Sequence, residues 1–373
     1  MGYRALRVII SGGGTGGHIF PAVSIANKLK ELNPETEILF VGAEGRMEME
    51  KVPAAGYRII GLPVAGLQRK LTLSNLALPF KIIKSLNIAR KILKEFRPDI
   101  AVGVGGYASA PLLWAAGQLG IPTLIQEQNG YAGLTNKILG KKARSICVAY
   151  EGMERFFPSE KIILTGNPIR KEIIPAGSRM KVEAYGFYGL DPQKKHIFVV
   201  GGSLGSRTLN DAMKKWISDG CPGGKDLEVI WQCGKYYKPS VDAFMKDMAD
   251  KVSTRILYSD FIQRMDLAYA AADIVISRSG ASSVSELCAA HKATIFVPSP
   301  NVAEDHQTHN AMALVRKDAA IMVKDSEACE KLMSQACELL ADPDRIRNME
   351  KNIAALAKAD AAMTIAEEVY RIL

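Results

Sequence analysis

At 373 residues the chain is too long for one ordinary hydrophobic core, and two domains are expected. Apolar and charged shares of 48% and 23% describe a soluble globular protein, and six cysteines without a Cys-x-x-Cys pair argue for free thiols in a reducing compartment, not disulfides or zinc. The formal net charge of +9 calls for an anionic partner, whether nucleic acid, a phosphorylated substrate or an anionic membrane.

Strands and helices alternate throughout, the pattern of parallel-sheet α/β proteins. Val8–Ser11 reads as a first strand, because glycines follow Arg7-Val8-Ile9-Ile10 at once and a signal peptide is ruled out. Pro21–Leu32 follows as a helix, with proline suited to its first turn. Strands are expected at Glu37–Val41, Tyr57–Gly61, Asp99–Val104 and Thr123–Gln126, with shorter ones at Ile146–Ala149 and Ile162–Leu164. Residues 75–96 read as a basic amphipathic helix, Ala110–Leu119 and Thr135–Gly140 as further helices. Gly166-Asn167-Pro168-Ile169-Arg170 is turn-rich, and residues 171–195, without a strong period, read as the domain crossing. The pattern then restarts with strands at His196–Val200, Glu228–Gln232, Arg255–Tyr258, Ile274–Ser277 and Thr294–Val297. Helices are expected at Leu209–Ser218, Met265–Ala272, Ser283–Ala290, 326–341 and 343–372. No apolar run reaches transmembrane length.

Three glycine clusters each follow a short apolar run: Gly12–Gly17 with His18 beyond it, Gly103–Gly106, and Gly201–Gly205. A strand turning through glycines into a helix leaves backbone N–H groups and the positive end of a helix dipole for phosphate. Gly12-x-Gly14-x-x-Gly17 also matches the dinucleotide fingerprint, but Val41-Gly42-Ala43 replaces the acidic residue expected after the second strand, and Glu44 comes late. Each turn can equally serve to pack a helix on a strand. His18 suits a general base at neutral pH, or a histidine that only hydrogen-bonds phosphate or backbone.

Gln126-Glu127-Gln128-Asn129-Gly130 is polar at a strand's C-terminal end, the ligand edge of an open α/β sheet, or else a solvated loop. Ser277–Glu286 is a strand end, a small-residue turn and a helix start, and Glu286 suits ribose hydroxyls or a first-turn carboxylate. Residues 304–311, Glu-Asp-His-Gln-Thr-His-Asn-Ala, read as a sugar-hydroxyl site in preference to a metal site, because no third strong ligand is placed beside His306 and His309. Asp342-Pro343-Asp344 reads as a helix start. Gly66–Arg97 sets eight basic residues against one acid, Glu95, among interleaved leucines and isoleucines. That suits an anionic bilayer surface, or a surface helix packed inward. Few aromatics and no nucleic-acid motif speak against nucleic acid.

In order and spacing these segments resemble the MurG family, the GT-B glycosyltransferases of peptidoglycan synthesis. The resemblance covers essentially the whole chain: Gly13-Gly14-Thr15-Gly16-Gly17-His18-Ile19-Phe20-Pro21, the second glycine turn, Glu127-Gln128-Asn129 with residues 132–137, Thr165–Arg170, Gly201–Arg207, Ser279-Gly280-Ala281 with Glu286, and Asp305–Ala311. One departure stands out: many members carry His before Glu-Gln-Asn, where this chain has Gln126.

The resemblance implies a GT-B fold, two Rossmann-like doubly wound parallel-sheet domains facing a cleft. Residues 1–168 would form the acceptor and membrane domain, with a helix at about 356–373 packing back on it, and 169–355 the UDP-GlcNAc domain. It implies inverting transfer of N-acetylglucosamine from UDP-GlcNAc to the C4 hydroxyl of undecaprenyl-diphospho-MurNAc-pentapeptide (lipid I), giving lipid II and UDP without cofactor or metal. His18 is then the general base and Glu127 its rival. The donor residues implied are Thr15, Gly16 and Gly17; Asn129, reaching across the cleft; Arg170, Ser203 and Ile262; Ala281, Ser282, Ser283, Val284, Ser285 and Glu286; and Gln307. Gly14, Gly105, Gly106 and Tyr107 would meet the acceptor diphosphate. Leu76, Phe80, Lys81, Ile83, Lys84, Arg90 and Lys91 would form a membrane face, at the cytoplasmic side of the inner membrane, with other cell-wall and division proteins as partners. The competing expectations are another UDP-GlcNAc-using GT-B enzyme such as an epimerase, an NAD-dependent dehydrogenase, and a non-catalytic membrane scaffold.

Overall fold

The computed structural model describes residues 2–14, 16–64, 78–106, 108–202, 204–249, 252, 254–358 and 360–373, the side chains of residues 78–81 and 303 excepted. The chain divides into two units, Met1–Ile169 with Asp360–Leu373, and Arg170–Ala359.

The first unit runs β1 (Arg7–Gly12), α1 (Gly16–Leu32), β2 (Glu37–Ala43), α2 (Glu48–Ala54), β3 (Arg58–Leu62), α3 (Leu78–Phe96), β4 (Ile100–Gly105), α4 (Ser109–Gln118), β5 (Thr123–Glu127), α5 (Leu134–Gly140), β6 (Ser145–Val148) and β7 (Ile162–Leu164). Its strands form one parallel sheet in the order β3-β2-β1-β4-β5-β6-β7. Helices cover both faces, so its central strands are apolar on both sides, as β1 shows. Val8 and Ile10 pack with Ile25 and Leu29 of α1, while Ile9 points the other way onto Leu93 of α3 and Leu112 of α4.

The second unit runs α6 (Ser178–Tyr188), β8 (Lys195–Val200), α7 (Arg207–Ser218), β9 (Leu227–Gln232), α8 (Lys238–Asp247), β10 (Arg255–Ser259), α9 (Met265–Ala271), β11 (Ile274–Ser277), α10 (Ala281–Ala289), β12 (Thr294–Phe296), α11 (His306–Val315), β13 (Ile321–Met322), α12 (Ala328–Leu340) and α13 (Pro343–Ala354). Its parallel sheet has the order β10-β9-β8-β11-β12-β13. The chain then returns to the first unit as α14 (Ala361–Arg371), whose Ile365 and Val369 join the core around α1.

Strand order reverses between β1 and β4 in one sheet and between β8 and β11 in the other. Open α/β sheets bind ligands outside the carboxyl ends of the strands at that switch point. The loops leaving β1, β4 and β8 are the three glycine turns, and the loop leaving β11 is Arg278–Gly280.

The structure departs from the sequence reading in several places, and β13 is a strand the reading lacked. The interval 171–195 contains α6, and 304–311 is largely the start of α11. The helices α2 and α8 had no counterpart in the reading. The helical range 343–372 is two helices, α13 and α14, and the second begins at Ala361, later than the expected 356, with no glycine or proline between them to signal the break. Asp342 caps α13, its side chain accepting the Arg345 N–H at 3.0 Å.

Candidate active site

In the first unit the turns after β1 and β4 are pressed together. Gly13 donates its N–H to the Gly105 carbonyl at 3.3 Å, and Ser109 donates its hydroxyl to the carbonyls of Ser11 and Gly105 at 3.1 and 2.9 Å. Gly106 adopts φ +92°, and a Cβ there would lie 2.4 Å from the Gly13 carbonyl oxygen, so only glycine fits. A Cβ on Gly105 would fall 2.6 Å from His18 Cδ2, so the imidazole packs against this backbone. His18 sits in the first turn of α1, half-buried, and Gly16 and Gly17 precede it at the helix start. The first N–H groups of a helix lack intrahelical acceptors and favour an anion. The Gly14 N–H is different, because Glu48 Oε2 already accepts it at 2.8 Å. A diphosphate at Gly14 would have to displace a carboxylate, which corrects the expectation of an open amide there.

The polar run after β5 is an organised loop. Glu127 is buried, and its oxygens accept four N–H groups: Asn129 backbone and side chain at 3.1 and 3.4 Å, Gly133 backbone at 3.1 Å and the Asn136 side chain at 2.9 Å. Burial pushes its carboxyl up from the ordinary range, and these four bonds oppose that rise. With its acceptor positions filled, Glu127 holds the 128–136 loop, and the geometry speaks against its serving as the base. Gln126 is buried as well. Its amide bonds Asn167 Oδ1 at 2.9 Å and receives Gln128 Nε2, while Asn167 donates to the Gln128 carbonyl at 3.0 Å. The side chain expected to meet a ligand is thus spent tying β5 to the strand-end turn at 165–169.

In the second unit α10 begins at Ala281, immediately after Gly280. Val284 is buried and donates its N–H to the Gly280 carbonyl, which leaves the amides of Ala281, Ser282 and Ser283 as the ones a helix start presents. Glu286, one turn on, is gripped at two points by Arg170: Nε to Oε1 and Nη2 to Oε2, both 2.9 Å. Tyr269 donates to Oε2 at 3.3 Å. Arg278 bridges the turns after β8 and β11. Its Nε donates to Ser206 Oγ at 2.9 Å and its Nη1 to the Val297 and Pro298 carbonyls and to Asp325. Gln232, at the end of β9, donates to the Gly202 carbonyl and accepts the Ile262 N–H, both at 2.9 Å. Ile262 thus keeps its carbonyl, not its N–H, for a ligand. Beside it the Phe261 ring is exposed.

Gln307 lies in the first turn of α11. Its Oε1 accepts the Ser299 N–H at 2.9 Å and its carbonyl accepts Ser279 Oγ at 2.8 Å, so the side-chain NH₂ is the group left to meet a hydroxyl. The two residues before this helix, Glu304 and Asp305, hold left-handed φ of +53° and +49°, a strained entry of the kind that clusters at functional sites. Among the described residues no three His, Cys, Asp or Glu side chains are grouped as for a metal ion.

Thr15, Tyr107, Ser203 and Leu76 lie outside the described residues, as do the side chains of Phe80 and Lys81. On α3, Ile82, Ile83, Lys84 and Lys91 are exposed, whereas Arg90 is turned onto α4, donating to Gln118 Oε1 at 2.5 Å. Next along the same layer, α5 exposes Leu134 and Ile138, and the Lys142 ammonium stands 5.2 Å from the Trp114 ring centre. Among the described residues no helix is long and apolar enough to cross a membrane.

Sequence reasoning gave no role to Glu48 or Gln232, and quoted Gln128, Asn136 and Arg278 only as members of longer segments. All but Asn136, which bonds the Glu127 carboxylate, hold backbone, and nothing in the local sequence marks that role.

The sequence matches two family models, the glycosyltransferase family 28 N-terminal domain over residues 8–148 and the C-terminal domain over residues 196–365. A protein of Parabacteroides distasonis named UDP-N-acetylglucosamine--N-acetylmuramyl-(pentapeptide) pyrophosphoryl-undecaprenol N-acetylglucosamine transferase is 55% identical over 370 residues, 99% of each chain. One of the same name from Cytophaga hutchinsonii is 53% identical over 99% of this chain and 98% of its own. Among solved structures, Acinetobacter baumannii MurG superposes with a TM-score of 0.79 at 28% identity, covering 98% of this chain and 99% of the other. A putative UDP-N-acetylglucosamine 2-epimerase of Listeria monocytogenes, with a TM-score of 0.68 at 12% identity, shares the fold alone.

Proposed function

Since the chain belongs to glycosyltransferase family 28, among the MurG enzymes, we propose that it transfers N-acetylglucosamine from UDP-GlcNAc to the C4 hydroxyl of lipid I, forming lipid II and UDP. The observation that carries this reading is the 55% identity that runs through both units, from end to end of a relative bearing that activity in its name.

The donor is assigned to the second unit. The amides of Ala281, Ser282 and Ser283 at the start of α10 would take the diphosphate, with Ser203 and Ser285 nearby. Glu286 has one acceptor position left on Oε1 for a ribose hydroxyl, beside Arg170. The Ile262 carbonyl suits the N3–H of uracil, and the Gln307 NH₂ suits a sugar hydroxyl.

The acceptor is assigned to the first unit, with its diphosphate at the Gly105–Tyr107 turn and, because Glu48 takes the Gly14 N–H, at Gly16 and Gly17, which the resemblance had given to the donor. In the transfer, the C4 oxygen bonds to the anomeric carbon as the bond from that carbon to the UDP oxygen breaks, and configuration inverts. His18 takes the hydroxyl proton. The electron pair leaves on the β-phosphate, where helix N-terminal amides stabilise the charge in the way an oxyanion hole does, so no metal is required in this reading.

The exposed Ile82 and Ile83 beside Lys84, and Leu134 and Ile138 beside Lys137, support docking on an anionic membrane surface. That would put the enzyme at the cytoplasmic face, where its lipid-linked acceptor is held.

The test is turnover of UDP-GlcNAc by the purified protein with and without lipid I, each with and without chelator. Lipid II forming only when both substrates are present, at a rate unmoved by chelator, is expected. Equal consumption of UDP-GlcNAc without the acceptor would overturn the assignment.

A further inference from the structure

Glu48 opens α2, a seven-residue helix, and its side chain is fully buried against the first glycine turn. Oε2 accepts the Gly14 N–H at 2.8 Å and Oε1 accepts the Ala43 N–H at 3.0 Å. The carboxylate fills space that two glycines leave. A Cβ on Gly13 would lie 2.1 Å from Oε1, and one on Gly42 would lie 2.6 Å from Glu48 Cγ.

The opposite side of Gly13 rests on the second turn. Gly13 donates to Gly105, Gly106 can carry no Cβ because Gly13 is there, and Gly105 in turn backs the His18 ring. Four layers therefore stack in contact: the Glu48 carboxylate, Gly13-Gly14, Gly105-Gly106 and the His18 imidazole. The carboxylate is thus linked to the imidazole through a continuous run of close contacts.

In a dinucleotide site of the same spacing, the turn's amides receive a pyrophosphate. Here the chain supplies its own anion to one of them. A phosphate brought to Gly14 would lose that donor and meet a buried negative charge.

We propose that Glu48 is a positioning residue of the transfer reaction: a built-in anion that holds the first glycine turn in register with the second, fixes the His18 imidazole on the Gly105 backbone, and bars phosphate from the Gly14 amide. The acceptor diphosphate is thereby confined to the Gly16-Gly17 end of the turn. This rests on the reading of His18 as the base.

The experiment compares wild type, Glu48→Ala, Glu48→Gln and His18→Ala in lipid II synthesis, with sodium formate or sodium chloride added at equal ionic strength. Displacing a catalytic group by about 1 Å costs on the order of 100-fold, so Glu48→Ala should lose about 10- to 100-fold in kcat. Its KM for UDP-GlcNAc should stay within about twofold, because the diphosphate, ribose and uracil contacts assigned above belong to the other unit. Formate, a carboxylate small enough for the vacated space, should restore part of the rate in Glu48→Ala and none in His18→Ala. Glu48→Gln keeps the shape but turns an NH₂ toward one of the two amides, and should fall between wild type and Glu48→Ala.

A folded Glu48→Gln with wild-type kcat would overturn the proposal. So would a folded Glu48→Ala whose lost rate formate leaves unchanged, since a purely structural defect has no reason to respond to it. Full activity in His18→Ala would instead remove the base on which the proposal rests, and that arm is read separately from the other two.

Discussion

The Arg170 guanidinium holds the Glu286 carboxylate by two parallel hydrogen bonds of 2.9 Å, a geometry that a lysine could not reproduce. Glu286 is buried and Arg170 about half-exposed. Removing Arg170 would leave a buried carboxylate with Tyr269 as its remaining partner among these bonds. Because solvent reaches the arginine, Arg170→Ala should cost about 1–2 kcal/mol of stability, less than a fully buried pair would. UDP affinity should fall as Glu286 loses its orientation, and fall further in Glu286→Ala. Calorimetric titration with UDP, beside a melting curve, checks both.

His18 sits where the second glycine turn supports its ring. His18→Ala should lower kcat by about 10²- to 10⁴-fold with little change in UDP affinity. Single-turnover rates separate this from a binding defect. A near-normal rate would take the base role away from it.

Charge reversal at Lys84 and Lys91 should release the protein from anionic vesicles. Each basic residue near such a surface is worth about 1 kcal/mol, so the double reversal should weaken partition by more than about 10-fold. Ile83→Glu should act in the same direction through lost insertion. Sedimentation with vesicles at two salt concentrations tests this, and reversal at Arg90, which is committed to Gln118, should do less.

A pH effect is expected at the opposite edge of the second sheet. Burial works against ionisation of Asp273, but the His196 imidazole 3.7 Å away, the His196 backbone N–H at 2.8 Å and Lys181 at 3.3 Å outweigh it, and its pKa falls from 3.8 to about 2. A carboxyl depressed on folding stabilises the native state above its unfolded value, and that contribution fades as pH drops through the folded one. The gain is about 2 kcal/mol above pH 4, lost toward pH 2. Asp273→Asn should flatten that part of the melting temperature against pH.

Much of this molecule was legible beforehand. Apolar runs such as Val8–Ile10 and Ile197–Val200, each followed by glycines, marked buried parallel strands and the turns at both switch points. What stayed hidden falls into two kinds. The helix α2 carries too few turns for a periodic pattern to stand out, and α8 buries only Val241, so no apolar stripe marks it. Holding residues are hidden for another reason: Glu48 meets Gly14 from 34 positions away, and Arg278 meets Ser206 from 72. Glu127 shows what residue type leaves out: the resemblance made it a rival base, and its four N–H donors come from Asn129, Gly133 and Asn136, none of which its type reveals. Gln126 shows the same for amides.

The helix α14 completes the core of a unit from which it is separated in sequence by the whole of the other. During synthesis the intervening unit is continuous and has all its strands as soon as Ala359 has emerged. The earlier-made unit must wait, with Ile10, Ile25 and Leu29 short of the Ile365 and Val369 that join their cluster. The core of the segment made first is therefore completed last, and until then its apolar flank on α1 lacks the side chains of α14.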